Sequence, residues 1–131
     1  MDIRGVNVEA GDYIAYRLHG RLLETWMVFA GVLGGNLRYI ATETYLPTIS
    51  TDAIWFNLID EVRVIYPRGT VVHRPAGRVW FTPGDLVRAT VSRNKQVIEG
   101  KVVSDLRGVL VVETESGAIA VGEIHNWVRL V

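Results

Sequence analysis

Cysteine is absent from this 131-residue chain. That excludes disulfides, thiolate metal sites and thiol catalysis, and it leaves the redox compartment open. Lysine is scarce: Lys95 and Lys101 stand against twelve arginines, a bias that fits a GC-rich genome and speaks to source rather than function. Net charge is also lacking, because fourteen basic and fourteen acidic residues cancel. No global field therefore draws the chain to nucleic acid or to an anionic membrane. No uncharged apolar run reaches the roughly 18–20 residues of a spanning helix, and the longest, Trp26 to Leu33, is strand-sized. Met1-Asp2-Ile3-Arg4 shows no basic stretch followed by an apolar run, so no secretory leader is expected. The expectation is a soluble, cytoplasmic protein with no membrane partner.

Reactive constellations are missing as well. His19, His73 and His125 fall in a turn, a linker and a presumed helical turn, without the HxH or HxxxH spacing of metal ligands. Gly31-Val-Leu-Gly-Gly lacks the Lys-Ser/Thr and the following helix of a phosphate cradle. Asp60 and Glu61 are adjacent on a strand, so their carboxylates point to opposite sides and do not form an acid/base couple. There is no GxSxG elbow. No catalytic residue, metal site or cofactor is expected, and the chain is read as not an enzyme.

What is present is a series of short strands punctuated by turns, with enough apolar residues to bury a core. Residues 1–10 form a lead-in with one short strand over Ile3 to Val8. After Gly11-Asp12, residues Ile14, Tyr16 and Leu18 alternate with Tyr13, Ala15 and Arg17, the period of a strand with one buried face. His19-Gly20-Arg21 turns. Leu22 to Leu33 is a long strand with a bulge or bend at Gly31. Gly34-Gly35-Asn36 turns tightly, and Leu37 to Thr44 is the next strand. Tyr45 to Asp52 is a loop, with Pro47 barring a central strand. Ala53 to Phe56 is a short strand, Asn57 to Asp60 one helical turn, and Glu61 to Tyr66 a closing strand. Residues 66–82 form a basic linker or hairpin, Thr70 to His73 pairing with Gly77 to Phe81. Residues 83–131 repeat the scheme with turns at Asn94-Lys95, Asp105 to Gly108 and Ser116-Gly117.

The two halves align. Gly11-Asp12 matches Gly84-Asp85, and Gly31-Val32 matches Gly100-Lys101. Leu37 to Glu43 matches Val109 to Glu115, and Val62 to Ile65 matches Val128 to Val131. The offset drifts from 73 residues to 66 because loop lengths differ. The succession of Gly-Asp, four strands, a helical turn and a closing strand resembles the SH3-like small barrels, in particular Tudor and KOW-type modules. The resemblance implies an all-β fold of two tandem SH3-like five-stranded barrels packed together, residues 1–65 and 83–131. It does not imply one function, because such barrels bind peptides, nucleic acids and protein surfaces. Short Arg- and Val-rich tandem chains also resemble small proteins from bacteriophages of GC-rich hosts. Trp26, Trp55, Trp80 and Phe81 are the expected filling between the barrels, given about 150–250 Å² of burial for each aromatic.

Three surfaces carry the functional expectations. The loop residues Tyr45, Leu46, Pro47 and Ile49 have no counterpart in the second unit and are candidates for contact with a protein partner, consistent with a phage-encoded modulator of a host protein. The alternative is nucleic-acid binding through Arg68, Arg74 and Arg78 with Tyr66 and Trp80, arginines meeting phosphates and aromatics stacking bases. A further alternative is a structural homo-oligomer or virion component pairing through edge strands. A methyl-lysine cage would need converging aromatics from Tyr13, Tyr16, Trp26, Tyr39, Trp55 and Phe56. The second unit offers only Trp127.

Overall fold

The computed structural model describes residues 1–40, 47–49, 52–72, 81–91 and 95–130. These residues are all-β, with helix confined to two single 3-10 turns, Phe56–Leu58 and Ile124–Asn126. The lead-in is a hairpin rather than one strand, pairing β1 (Asp2–Ile3) with β2 (Val6–Asn7). Arg4 and Gly5 between them both have positive φ, 51° and 83°, which a two-residue hairpin turn requires. The first sheet comprises β3 (Tyr13–Leu18), β4 (Thr25–Leu33), β5 (Asn36–Ile40), β6 (Asp52–Trp55) and β7 (Ile59–Tyr66). It is antiparallel, in the order β6-β5-β4-β3-β7. The second comprises β8 (Leu86–Val91), β9 (Gln96–Asp105), β10 (Val109–Thr114), β11 (Ile119–Glu123) and β12 (Val128–Arg129). Its order, β11-β10-β9-β8-β12, is the same plan.

The correspondence extends to register. Tyr13 pairs with Val28 as Leu86 pairs with Lys101, and Phe29 pairs with Tyr39 as Val102 pairs with Val112, a constant offset of 73. One residue bulges at the same place in each second strand, Ala30 in β4 and Val103 in β9. The offset falls to 68 at the fourth strand, where the pair Asn36–Trp55 answers Val109–Glu123. The connection 41–51 is five residues longer than its counterpart 114–119. This register corrects three sequence matches: Gly31 corresponds to Ser104, not Gly100, Leu37 to Leu110, not Val109, and Val128 to Arg63, not Val62.

The Gly-Asp pairs have a shared physical role. Gly11 and Gly84 take φ of 102° and 96°, a conformation costly for any residue with a Cβ. Each glycine amide donates to the second strand, to Phe29 and Val102 at 2.8 Å, and the amides of those residues return 2.9 Å bonds to the Asp12 and Asp85 carbonyls. Each aspartate carboxylate then accepts the amide three residues earlier, from Glu9 at 2.8 Å and from Thr82 at 2.9 Å. The turn thereby satisfies backbone groups at the point where each sheet begins.

Three apolar clusters hold the molecule. The first lies inside the first sheet, with Ile14, Phe29, Leu37 and Ile59 covered by Ile3 and Val8 of the lead-in. The second lies inside the second sheet, with Val87, Leu110, Val112 and Trp127, joined by Phe81 and by Ile49 from the other half. The third lies between the sheets, where Val28 and Ile40 meet Val103, Val111, Ile119 and Val121. Aliphatic side chains therefore fill the junction, not the expected aromatics. Trp26 and Trp55 remain 49% and 59% exposed, Phe81 belongs to the second core, and Trp80 lies outside the described residues. Trp26 shares the outer face of β4 with Val28, but it lies farther along the strand, opposite Ala15, beyond the Val28–Ile40 part of that face that the second sheet covers.

Two backbone straps reinforce the junction. Thr48 pairs with Val121 through both antiparallel bonds, 2.8 and 2.9 Å. Val71 forms a parallel bridge to Asp105, with Thr70 and Val72 supplying the bonds. Of the hairpin expected between Thr70 to His73 and Gly77 to Phe81, the first arm thus meets β9, and the second lies largely outside the described residues. Gly100 sets the tightest approach in the second sheet: a Cβ there would lie 2.3 Å from the Glu113 carbonyl oxygen. Gly117 instead has open space and only a positive φ of 87°. Gly100→Ala should therefore cost about 3 kcal/mol or more, and Gly117→Ala about 1–2 kcal/mol. Urea denaturation midpoints of the two variants check this, and equal losses would refute the close approach.

Candidate functional site

The outer face of the first sheet carries exposed aromatic side chains, Trp26 and Tyr66 among them. On β3, Ile14 and Tyr16 turn into the core while Tyr13, Ala15 and Arg17 face outward. Ala15 is small and fully buried, and its cross-strand neighbours Trp26 and Arg63 lie on either side of it. Tyr13 stacks on Tyr66 at 6.0 Å between centroids and meets Trp26 edge-on at 6.1 Å. The Arg63 guanidinium lies 5.6 Å over the Trp26 ring and bonds both oxygens of Glu24 at 2.8 Å. That is the bidentate geometry of a strong charge-assisted pair, and its bonds to Arg63 hold the Glu24 carboxyl below the usual carboxylate range.

Beside this face, the β3–β4 tip presents Leu22 and Leu23, 95% and 84% exposed. The tip is braced from behind. Arg17 donates to the Arg21 carbonyl at 3.1 Å, and Arg21 closes a turn onto the Leu18 carbonyl at 3.1 Å. Arg17 also bridges to Asp60 and Glu61 at the start of β7, and His19 approaches Asp60 at 3.3 Å. Two leucines are thus displayed on a loop whose flanks are fixed. The strand expected from Leu22 to Leu33 starts instead at Thr25. Adjacency alone does not separate the two leucines from a strand, since Leu110, Val111 and Val112 are consecutive within β10.

Of the loop residues expected to touch a partner, Pro47 is buried and Ile49 packs into the second core. Tyr45 and Leu46 lie outside the described residues. Of the nucleic-acid set, Tyr66 joins the aromatic stack, while Arg74, Arg78 and Trp80 lie outside the described residues. Arg68 is tied into the junction: its amide donates to Asp12 at 2.7 Å, and its guanidinium reaches the Ala10 carbonyl at 3.0 Å and Glu113 at 3.1 Å. The aromatics considered for a cage are divided. Tyr16 and Tyr39 meet at 6.0 Å with Tyr16 in the core, where burial, with Tyr39 alongside, pushes the Tyr16 hydroxyl up to about 12. Phe56 packs against the same core, Trp55 lies against Gly35, and Trp127 is buried.

A concavity of about 520 Å³ lies on the outer face of the second sheet, lined by Leu86, Lys101 and Leu130 together with Glu99, Glu113 and Glu115. Arg88 neutralises Glu99 and Arg68 neutralises Glu113, so it presents little unbalanced charge. Among the described residues no three His, Asp or Glu side chains converge as a metal site, and no helix is long and apolar enough to cross a membrane.

The Glu24–Arg63 pair predicts a pH dependence. Its folded carboxyl ionises below the unfolded value of about 4.3, so its contribution is present above that value and is lost as pH falls through the folded one. The difference in melting temperature between the parent and Glu24→Gln should be constant from about pH 5 to 7 and shrink toward pH 3. A difference that does not change with pH would rule the ion pair out as a contributor. No family model, no curated protein and no solved structure matches the chain.

Proposed function

We propose that the protein is a non-catalytic binding module built from two SH3-like barrels, and that its first unit engages a protein partner. The barrel reading is supported by a plan used twice: four meandering strands, a 3-10 turn and a fifth strand placed beside the first. The observation that carries the function is the exposure of Leu22 and Leu23 on a braced tip beside Trp26, Arg63 and Tyr66. Adjacent exposed leucines are unfavourable in water unless something covers them. Trp, Tyr and Arg are the residues that most often anchor such contacts. Preorganisation lowers the entropic cost of binding. The contact is thereby moved from the 45–49 loop, whose described residues pack internally, to the β3–β4 tip and the face next to it.

The nucleic-acid alternative has less support. Arg68 already meets a carboxylate and a backbone carbonyl, and Arg63 is paired with Glu24. Neither presents a free cation to a phosphate backbone.

The test is affinity capture from host lysate, with and without nuclease, using the parent and the double variant Leu22→Asp/Leu23→Asp. Both sites are exposed, so the variant should melt close to the parent, with a change within about 0.5 kcal/mol. Capture of a discrete protein that survives nuclease and is lost in the variant is the expected result. Retention of the same protein by the variant would reject this surface. Capture that vanishes with nuclease would reject the protein-partner reading.

A further inference from the structure

We propose that the outer edge of β11 is a docking site for an extended peptide segment, occupied at rest by the chain's own residues 47–49. Thr48 shows the register, because it uses the outward N–H and C=O of Val121 in a complete antiparallel pair, 2.8 and 2.9 Å. Ile49 enters the second core beside this pair. Pro47 fits because residue 122 is glycine: a Cβ there would lie 3.1 Å from the Pro47 Cα. The edge thus has a backbone pairing point at Val121, a slot over Gly122 and an aliphatic pocket, the parts of a short strand-addition site.

The present occupant leaves one group unmet. Trp127 is 4% exposed, and its indole Nε1 has no hydrogen-bond partner. It lies 3.0 Å from the point where a Gly122 Cβ would stand, the same point that Pro47 crowds. A buried donor without an acceptor is unfavourable, and proline has no side-chain acceptor to offer it. A better occupant keeps the extended backbone and the β-branched aliphatic residue. It places a side-chain acceptor such as Asn or Gln two residues earlier, over the indole. The site therefore selects an uncharged extended segment of the form Asn/Gln-x-Ile/Val, and the 47–49 strap is a tethered competitor.

The experiment uses the full chain and follows the Val121 amide and the Trp127 indole N–H by NMR. The probe is a synthetic heptapeptide with the sequence of residues 45–51 carrying Pro47→Asn, and the control peptide carries Ile49→Asp in addition. The Ile49→Ala protein, whose own strap is weakened, should bind the probe at least about tenfold more tightly than the parent. Both reporter resonances should shift with the probe, and the control should leave them in place. A folded Ile49→Ala protein whose reporters do not respond at millimolar probe overturns the proposal. If that variant does not fold, hydrogen exchange of the parent decides. Exchange of the Val121 amide well before the Leu110 and Val112 amides supports an edge that opens locally, and exchange only at the rate of global unfolding overturns it.

Discussion

Strand β10 must be covered on both faces, and much of the molecule answers that requirement. Leu110, Val111 and Val112 are consecutive and all fully buried. In a pleated strand neighbouring side chains point to opposite sides, so one sheet with one core cannot bury all three. Leu110 and Val112 turn into the second core, and Val111 turns outward against the first sheet. Each such side chain contributes on the order of 1.5–3 kcal/mol when removed from water, and a small sheet has few of them to lose. The two halves are therefore one cooperative body. Ile49 from the first half completes the second core, and Arg68 ties Asp12 and Ala10 to Glu113 across the junction.

This arrangement decides which surfaces remain for other molecules. The first sheet gives the Val28–Ile40 side of its outer face to the junction and keeps the Trp26–Arg63 side open. The 41–51 connection, five residues longer than its counterpart, sends Thr48 across to β11. An edge strand that would otherwise offer unpaired N–H and C=O groups is thereby protected, at least at Val121. Exposure at Leu22, Leu23 and Trp26 is not explained by any such internal requirement, which is why the functional reading rests there.

The local features were legible in the sequence and the non-local ones were not. Alternation in β3 and the Gly-Asp turns are written within a few residues, and both stand as read. The bulge was placed to within one residue, at Gly31 rather than Ala30. Period two reports that a strand has a covered face but not what covers it, so the junction was assigned to the largest side chains. The continuous apolar run Val109 to Val112 carried the better signal, because unbroken runs mark strands covered on both sides. The 45–49 loop was visible as an insertion, yet its destination on β11 depends on how two sheets pack. The Leu22-Leu23 tip was hidden by the apolar run that follows it.

The corresponding positions of the two sheets show which side each half brings to the junction. The junction joins unlike faces, the Val28–Ile40 side of the first sheet and the Val111–Val121 side of the second. A contact between unlike faces of two similar units could in principle continue head to tail without closing. The sequence differs at just those places. The pair corresponding to Val28–Ile40 in the second sheet is Lys101–Glu113, and the pair corresponding to Val111–Val121 in the first is Arg38–Ala53. Each half thus has one adhesive face, and the equivalent face of the other half is charged. Desolvating those charges against an aliphatic surface would be strongly unfavourable. A single framework thus carries one aliphatic side per half at the junction, and the same divergence sets Trp26 and Arg63 in the first sheet where Glu99 and Val128 stand in the second.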